Sequence, residues 1–75
     1  MNAGQRQRLV NVRAHLAAAL ELARHAKREL RGDESLLDVD VYGVEAAERE
    51  IDEAMHSLRL AEHVAEAMSG RLPPV

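Results

Sequence analysis

The residues of this chain best suited to chemistry are its histidines and the carboxylates near them. Glu53 and His56 are three positions apart, so on a helix both side chains project from one side, within reach of a single metal ion. His63 follows His56 by two helical turns, and His15 belongs to a second segment that can lie alongside. These four residues are the candidate ligands of an iron or zinc site.

The Glu-x-x-His spacing resembles that of carboxylate-bridged di-iron bundles, in which glutamates of a neighbouring helix complete the site. That resemblance implies ligands that point between the helices, whereas the apolar repeat described below points Glu53 and His56 outward. His56 and His63 would lie about 10 Å apart along a helix axis, too far to share one ion. We therefore expect no cofactor and keep the carboxylate–histidine metal site as an alternative.

No other arrangement of residues in the chain is typical of an enzyme. The chain has no cysteine, and its three serines (Ser35, Ser57 and Ser69) fit positions within or at the ends of helices. We find no glycine-rich phosphate loop and no nucleophile paired with a base. The sequence therefore predicts a protein without catalytic activity.

Two long segments carry the apolar repeat of an α-helix, with alternating steps of three and four positions. The first repeat comprises Leu9, Val12, Leu16, Ala19, Ala23, Ala26 and Leu30. The second comprises Val44, Ala47, Ile51, Ala54, Leu58, Ala61, Ala65 and Met68. Neither proline nor glycine interrupts these repeats, which predicts helices over residues 5–31 and 43–69.

The segment between the helices, residues 33–43, combines helix-capping residues with apolar ones and predicts a folded connection. If the chain folds back so that facing residue numbers sum to 77, most pairs set a large side chain against alanine, as in Leu16 against Ala61. The same register places Lys27 beside Glu48. We predict an all-α fold, an antiparallel two-helix hairpin forming one domain over residues 1–75, with flexible ends at 1–4 and 70–75.

A hairpin of this size buries too little apolar surface to be stable alone, which favours dimerisation into a four-helix bundle. Apolar side chains outside the repeats and in the connection widen the exposed surface. The partner-binding residues predicted on this basis are Leu20, Leu22, Leu36, Leu37, Tyr42, Met55, Leu60 and Val64. We expect a homodimeric interaction or regulatory module that also binds an unidentified protein. A basic partner would be attracted by the acidic side chains of the second helix, which are Glu45, Asp52, Glu53 and Glu66.

The net charge of −3 is divided unevenly along the chain. Residues 1–31 carry seven Lys or Arg against two acids, a net +5, and residues 32–75 carry three Arg against eleven acids, a net −8. The basic first helix makes nucleic acid the alternative partner, contacted by Arg6, Arg8, Arg13, Arg24, Lys27, Arg28 and Arg31. No aromatic residue is interleaved for base stacking, so a protein partner is the preferred interpretation.

The hydropathy of the chain bears on where the protein works. No apolar run approaches the roughly 20 residues needed to span a bilayer. The N-terminal residues lack the apolar segment of a secretory signal. We expect a cytoplasmic protein that makes no membrane contact.

Overall fold

The computed structural model describes residues 3–71, which form two long α-helices joined by a short 3₁₀ helix. Helix α1 spans Ala3–Leu30, the 3₁₀ helix spans Leu36–Asp38, and helix α2 spans Val41–Gly70. Within these residues, neither long helix combines the length and apolar character required to cross a membrane.

The helix boundaries agree within two residues with those predicted from the apolar repeats. Residues 3, 4 and 70, which the prediction placed in flexible ends, belong to the helices. None of these three is a proline, so nothing in the backbone stops either helix before them. Residue 71, also in a predicted flexible end, forms a turn after α2, and residues 1–2 and 72–75 lie outside the described part of the chain.

Two capping side chains determine where the chain reverses. The hydroxyl of Ser35 donates to the carbonyl of Leu30 at 3.3 Å and accepts from the backbone N–H of Leu37 at 3.1 Å. Asp40 precedes α2, and its carboxylate accepts from the backbone N–H of Gly43 at 2.9 Å. Because the first N–H groups of a helix have no partner within the helix, these side chains stabilise both helix starts.

Helices α1 and α2 pack against each other as the predicted hairpin, in a slab that measures 56 × 17 × 12 Å. The slab is one helix thick, so its apolar residues line a seam between the helices and are not enclosed in a core. No side chain within residues 3–71 is less than 2% exposed. The buried residues are Leu9, Leu20, Val44, Met55 and Ala65.

The seam departs from the predicted repeats because both helices are rotated about their axes. Leu20 and Met55, predicted to face a partner, are only 7% and 6% exposed. Val12 and Met68, predicted to lie in the seam, are 46% and 43% exposed. Burying a leucine and a methionine removes more apolar area from water than burying the alanines of the predicted repeats, which accounts for the rotation.

Candidate functional site

An apolar groove runs between the helices at the open end of the hairpin, where the start of α1 meets the end of α2. Its lining residues are Leu9, Val12, Leu16, Ala61, Val64, Ala65 and Met68. Gln5 and Arg8 extend this lining toward the end of the molecule. Val12, Val64 and Met68 remain exposed, so the groove is open to solvent over its whole length.

A second apolar hollow lies at the loop end and is lined by Leu30, Leu36, Val39, Asp40, Gly43 and Val44. Val12 and Leu30 are separated by about five full turns of α1. Gly43 and Ala61 are separated by the same number of turns of α2. Because whole turns return to the same direction, the two members of each pair point to one side of their helix. The groove and the hollow therefore open on the same side of the hairpin.

Small side chains connect the groove to the hollow. Ala19 and Ala26 follow Val12 in heptad steps, and Ala54 and Ala47 precede Ala61 in the same steps. Alanines leave this stretch flat, which lets another helix approach closely. We call this side the apolar face and define it by Val12, Ala19, Ala26 and Leu30 of α1 with Ala47, Ala54, Ala61, Val64 and Met68 of α2.

The other side of the seam carries ion pairs that join the helices. Lys27 Nζ donates to Asp52 Oδ1 at 2.7 Å. Arg31 donates to both carboxylate oxygens of Glu48, through Nε at 2.5 Å and through Nη2 at 2.7 Å. The predicted register placed Lys27 beside Glu48. In the structure Lys27 instead bonds Asp52, which lies one helical turn further along α2.

The two hydrogen bonds between Arg31 and Glu48 change the acidity of both groups. The hydrogen bond from Arg31 is the main cause that lowers the pKa of Glu48, and the positive charges of Arg31 and Lys27 lower it further against the opposing effect of burial. The same hydrogen bond, followed by the charge of Glu48, raises the pKa of Arg31. Both groups are therefore ionised at neutral pH, and the contact is a charged pair.

Of the predicted partner-binding residues, one lies on the apolar face, one lines the hollow that opens on the same side, and two are buried. Val64 lines the groove and Leu36 lines the hollow. Leu20 and Met55 are buried in the seam, so they are not part of the exposed surface on which the sequence placed them. Their burial follows from the rotation of the helices described above.

The other predicted partner-binding residues do not join the apolar face as one patch. Tyr42 and Leu60 are exposed and separated by about five full turns of α2, so they lie on one line along its outer surface. Leu37 is half-buried within the 3₁₀ helix, and Leu22 is exposed on α1. The predicted contact surface is thus divided between the apolar face and the outside of α2.

Val12 and Met68 were not predicted as surface residues, because both fit the apolar repeats. The signal that could have found them is the pair Leu20 and Met55, two large apolar residues that also face each other in an antiparallel hairpin. When that pair enters the seam, the residues on the neighbouring row must turn toward solvent.

Several of the predicted nucleic-acid-binding residues make ion pairs with carboxylates of the chain. Lys27 and Arg31 bond to α2, and Arg24 bonds to Glu21 one turn earlier on α1. A cation held by a carboxylate must give up that partner before it can contact a phosphate. These pairs weaken the electrostatic contribution on which nucleic-acid binding depends.

The remaining basic residues are distributed around α1. Arg13 lines a shallow depression together with Glu62 of α2. Arg8 lies at the end of the apolar groove, Arg6 is half-buried, and Arg28 is exposed near the end of the helix. Basic side chains therefore alternate with acidic and apolar ones, and no uninterrupted basic surface is formed within residues 3–71.

The candidate metal ligands project from the outside of the hairpin. Glu53 and His56 line a shallow depression on α2 with other polar side chains. His15 and His63 are exposed on different helices. Across the described residues, no three His, Asp or Glu side chains are grouped closely enough to hold one ion. The alternative of an iron or zinc site therefore lacks a third ligand in this hairpin.

No family model, curated protein or solved structure shows significant similarity to this chain.

Proposed function

We propose that this chain is a non-catalytic protein–protein interaction module that pairs with a second copy of itself through the apolar face. The observation that carries this proposal is the exposure of Val12, Val64 and Met68 along one groove of a hairpin that buries few residues. Apolar side chains grouped on one side of a thin molecule favour association, because a second copy removes them from water.

The area that the chain exposes supports the same proposal. A compact monomer of this mass would expose about 4,600 Å², whereas the chain exposes 5756 Å². The excess of about 1,200 Å² exceeds the roughly 800 Å² that each partner contributes to a standard interface. A second hairpin on the apolar face would therefore cover enough surface for a stable dimer.

The shape of the hairpin also favours pairing with a second copy of the chain. Each copy is 12 Å thick, and stacking two such slabs on their apolar faces produces a four-helix bundle. In that bundle Val12, Leu16, Val64 and Met68 would be enclosed between two layers, while the alanines in the middle allow close approach. The dimer would thus acquire the core that the single hairpin lacks.

The outside of α2 remains available to another protein in such a dimer. Tyr42 and Leu60 supply exposed apolar contacts on that surface. Glu45 and Glu53 line the depression beside them, and Asp52 is already bonded to Lys27 at its edge. An acidic surface of this kind would bind a basic protein, and through that contact the dimer would act in regulation.

A matched pair of substitutions on α1 tests the dimer. Val12 and Val10 are 46% and 58% exposed, but only Val12 lines the apolar groove. Multi-angle light scattering should give twice the 8.3 kDa chain mass for the wild type and for Val10→Glu. Val12→Glu should give a monomer, because a dimer would have to bury the new charge. A wild type that stays monomeric at all concentrations, or two variants that dissociate equally, would overturn the proposal.

A further inference from the structure

We infer that the two copies pack with their loops at opposite ends of the bundle. This inference rests on the proposed dimer and names the orientation of its partner. A second copy can cover the apolar face in two ways that keep two-fold symmetry, with the loops together or at opposite ends. The charges along the hairpin distinguish these two arrangements.

The two ends of the hairpin carry opposite charge. The loop end, residues 32–46, has no Lys or Arg and contains Asp33, Glu34, Asp38, Asp40 and Glu45. The open end, residues 3–12 and 67–71, has no acid and contains Arg6, Arg8 and Arg71. Loops at opposite ends bring each acidic loop end near a basic open end, whereas loops together place the two acidic loop ends side by side.

The borders of the apolar face repeat this polarity in heptad steps. On α1, Arg8 at the end of the groove and Glu29 belong to one heptad row and are separated by three heptads. On α2, Glu50 and Arg71 are also separated by three heptads, in the row that contains Val64. Each border thus carries one acid near the loop and one arginine near the open end.

The ion pairs of the hairpin fix the level at which these border residues lie. The numbers of Lys27 and Asp52 sum to 79, as do those of Arg31 and Glu48. Residues that line the groove from both helices, such as Leu9 and Met68, have numbers that sum to 77. Residues 29 and 50, and residues 8 and 71, therefore lie within about 3 Å of one level. One hairpin therefore carries two acids at one level across its apolar face and two arginines at another.

With the loops together, α1 packs on α2 of the second copy at the same level. Glu29 would then face Glu50 of the second copy, and Arg8 would face Arg71 of the second copy, so both contacts are repulsive. With the loops at opposite ends, each helix packs antiparallel on its own counterpart. Arg8 then faces Glu29 of the second copy, and Glu50 faces Arg71 of the second copy, so both contacts are attractive.

The attractive pairings on the two helices agree on a single symmetry axis. The midpoint between residues 8 and 29 falls between Ala18 and Ala19, and the midpoint between residues 50 and 71 falls between Leu60 and Ala61. These midpoints lie within about 3 Å of one level of the hairpin. Ala19 and Ala61 belong to the apolar face, so the two copies would cross at small residues that allow close contact.

Single cysteines test this geometry, because the chain has no cysteine of its own. Ala19→Cys lies beside the inferred axis, and mild oxidation should link two copies through a disulfide. Ala26→Cys lies in the same row of α1, but with loops at opposite ends its two copies would be about 22 Å apart and should not link. Equal linkage of both variants, or linkage of Ala26→Cys alone, would overturn the orientation.

Reversal of one border charge provides a second test, because the two arrangements predict opposite changes in the affinity of the dimer. Glu29→Arg should weaken the dimer on the order of tenfold in Kd, because the new cation faces Arg8 of the second copy. Adding Arg8→Glu to the same chain should restore the affinity, because the pair is formed again with its signs exchanged. With the loops together, Glu29→Arg would instead strengthen the dimer by facing Glu50 of the second copy, which would refute the inference.

Light scattering on the same samples separates the two proposals. A wild type that is monomeric removes the dimer and the orientation with it. A wild type that is dimeric, together with a Glu29→Arg variant that binds more tightly, retains the proposed function and overturns only the orientation.

Discussion

Arg31 and Glu48 are joined by two hydrogen bonds of 2.5 and 2.7 Å across the loop end of the hairpin. Arg31 immediately follows the last residue of α1, and Glu48 lies about two turns into α2. Together with the bond from Lys27 to Asp52, this contact holds the two helices in one register, since a slip of one turn would break both. Exposed ion pairs add little to stability, so their main effect is on register.

The lowered pKa of Glu48 predicts a specific pH dependence of stability. A carboxyl whose pKa is lower in the folded state stabilises the protein above its unfolded pKa, and this contribution is lost as the pH falls through the folded value. Glu48→Gln should therefore destabilise the hairpin at pH 7 and have little effect at pH values below the folded pKa of Glu48. Urea unfolding of both proteins at pH 7 and at a series of lower pH values measures this difference. A gap that stays constant over the whole series would contradict it.

The buried seam predicts unequal effects for two leucines. Leu20 is buried and Leu60 is exposed on the outside of α2. Leu20→Ala should lower the free energy of unfolding by about 2–3 kcal/mol, and Leu60→Ala should change it by less than about 0.5 kcal/mol. Chemical denaturation at one protein concentration measures both values, because dimer stability depends on concentration. Similar values for both leucines would mean that the seam is elsewhere.

The cap at the start of α2 predicts non-additive effects of two substitutions. A Cβ on Gly43 would overlap the carboxylate of Asp40, lying 2.9 Å from its Cγ. Asp40→Ala should therefore cost about 1 kcal/mol, and Gly43→Ala should be nearly neutral, since the displaced cap offsets the better helix propensity of alanine. In the Asp40→Ala background, Gly43→Ala should stabilise by about 0.5–1 kcal/mol. Thermal unfolding of the four proteins measures the coupling, and strictly additive effects would exclude it.

The ion pairs of α1 predict weak binding to polyanions. Lys27 and Arg31 are held by Asp52 and Glu48, so we expect the wild type to elute from heparin below about 0.15 M salt. The double variant Glu48→Gln and Asp52→Asn releases both cations and should elute at higher salt. Retention of the wild type to high salt, without a shift in the variant, would favour nucleic acid as the partner.

The sequence was sufficient to predict the hairpin and the ends of its helices. Uninterrupted apolar repeats marked both helices, and capping residues such as Ser35 and Asp40 marked the connection. These features are local, because propensity and capping act within a few residues of the chain. The helix boundaries therefore followed from the sequence to within two residues.

The rotation of the helices could not be predicted in the same way. Leu9 and Leu16 lie in the seam both in the predicted rotation of α1 and in the observed one. The two rotations differ in whether the row of Val12 or the row of Arg13 lies beside them in the seam. Composition alone favours the row of Val12, because that row carries no charge. The structure uses the row with Arg13, Leu20 and Lys27, because this row buries Leu20. Lys27 is tolerated beside Leu20, since its stem covers apolar surface while its charge stays in water at Asp52.

The hairpin is a slab one helix thick, with its charged side and its apolar face separated by the seam. Substitutions on one side are therefore shielded from those on the other, and their effects on folding and on pairing should combine by simple addition. In such a molecule, the surface that recognises a partner can be altered freely while the contacts that set the helix register stay unchanged.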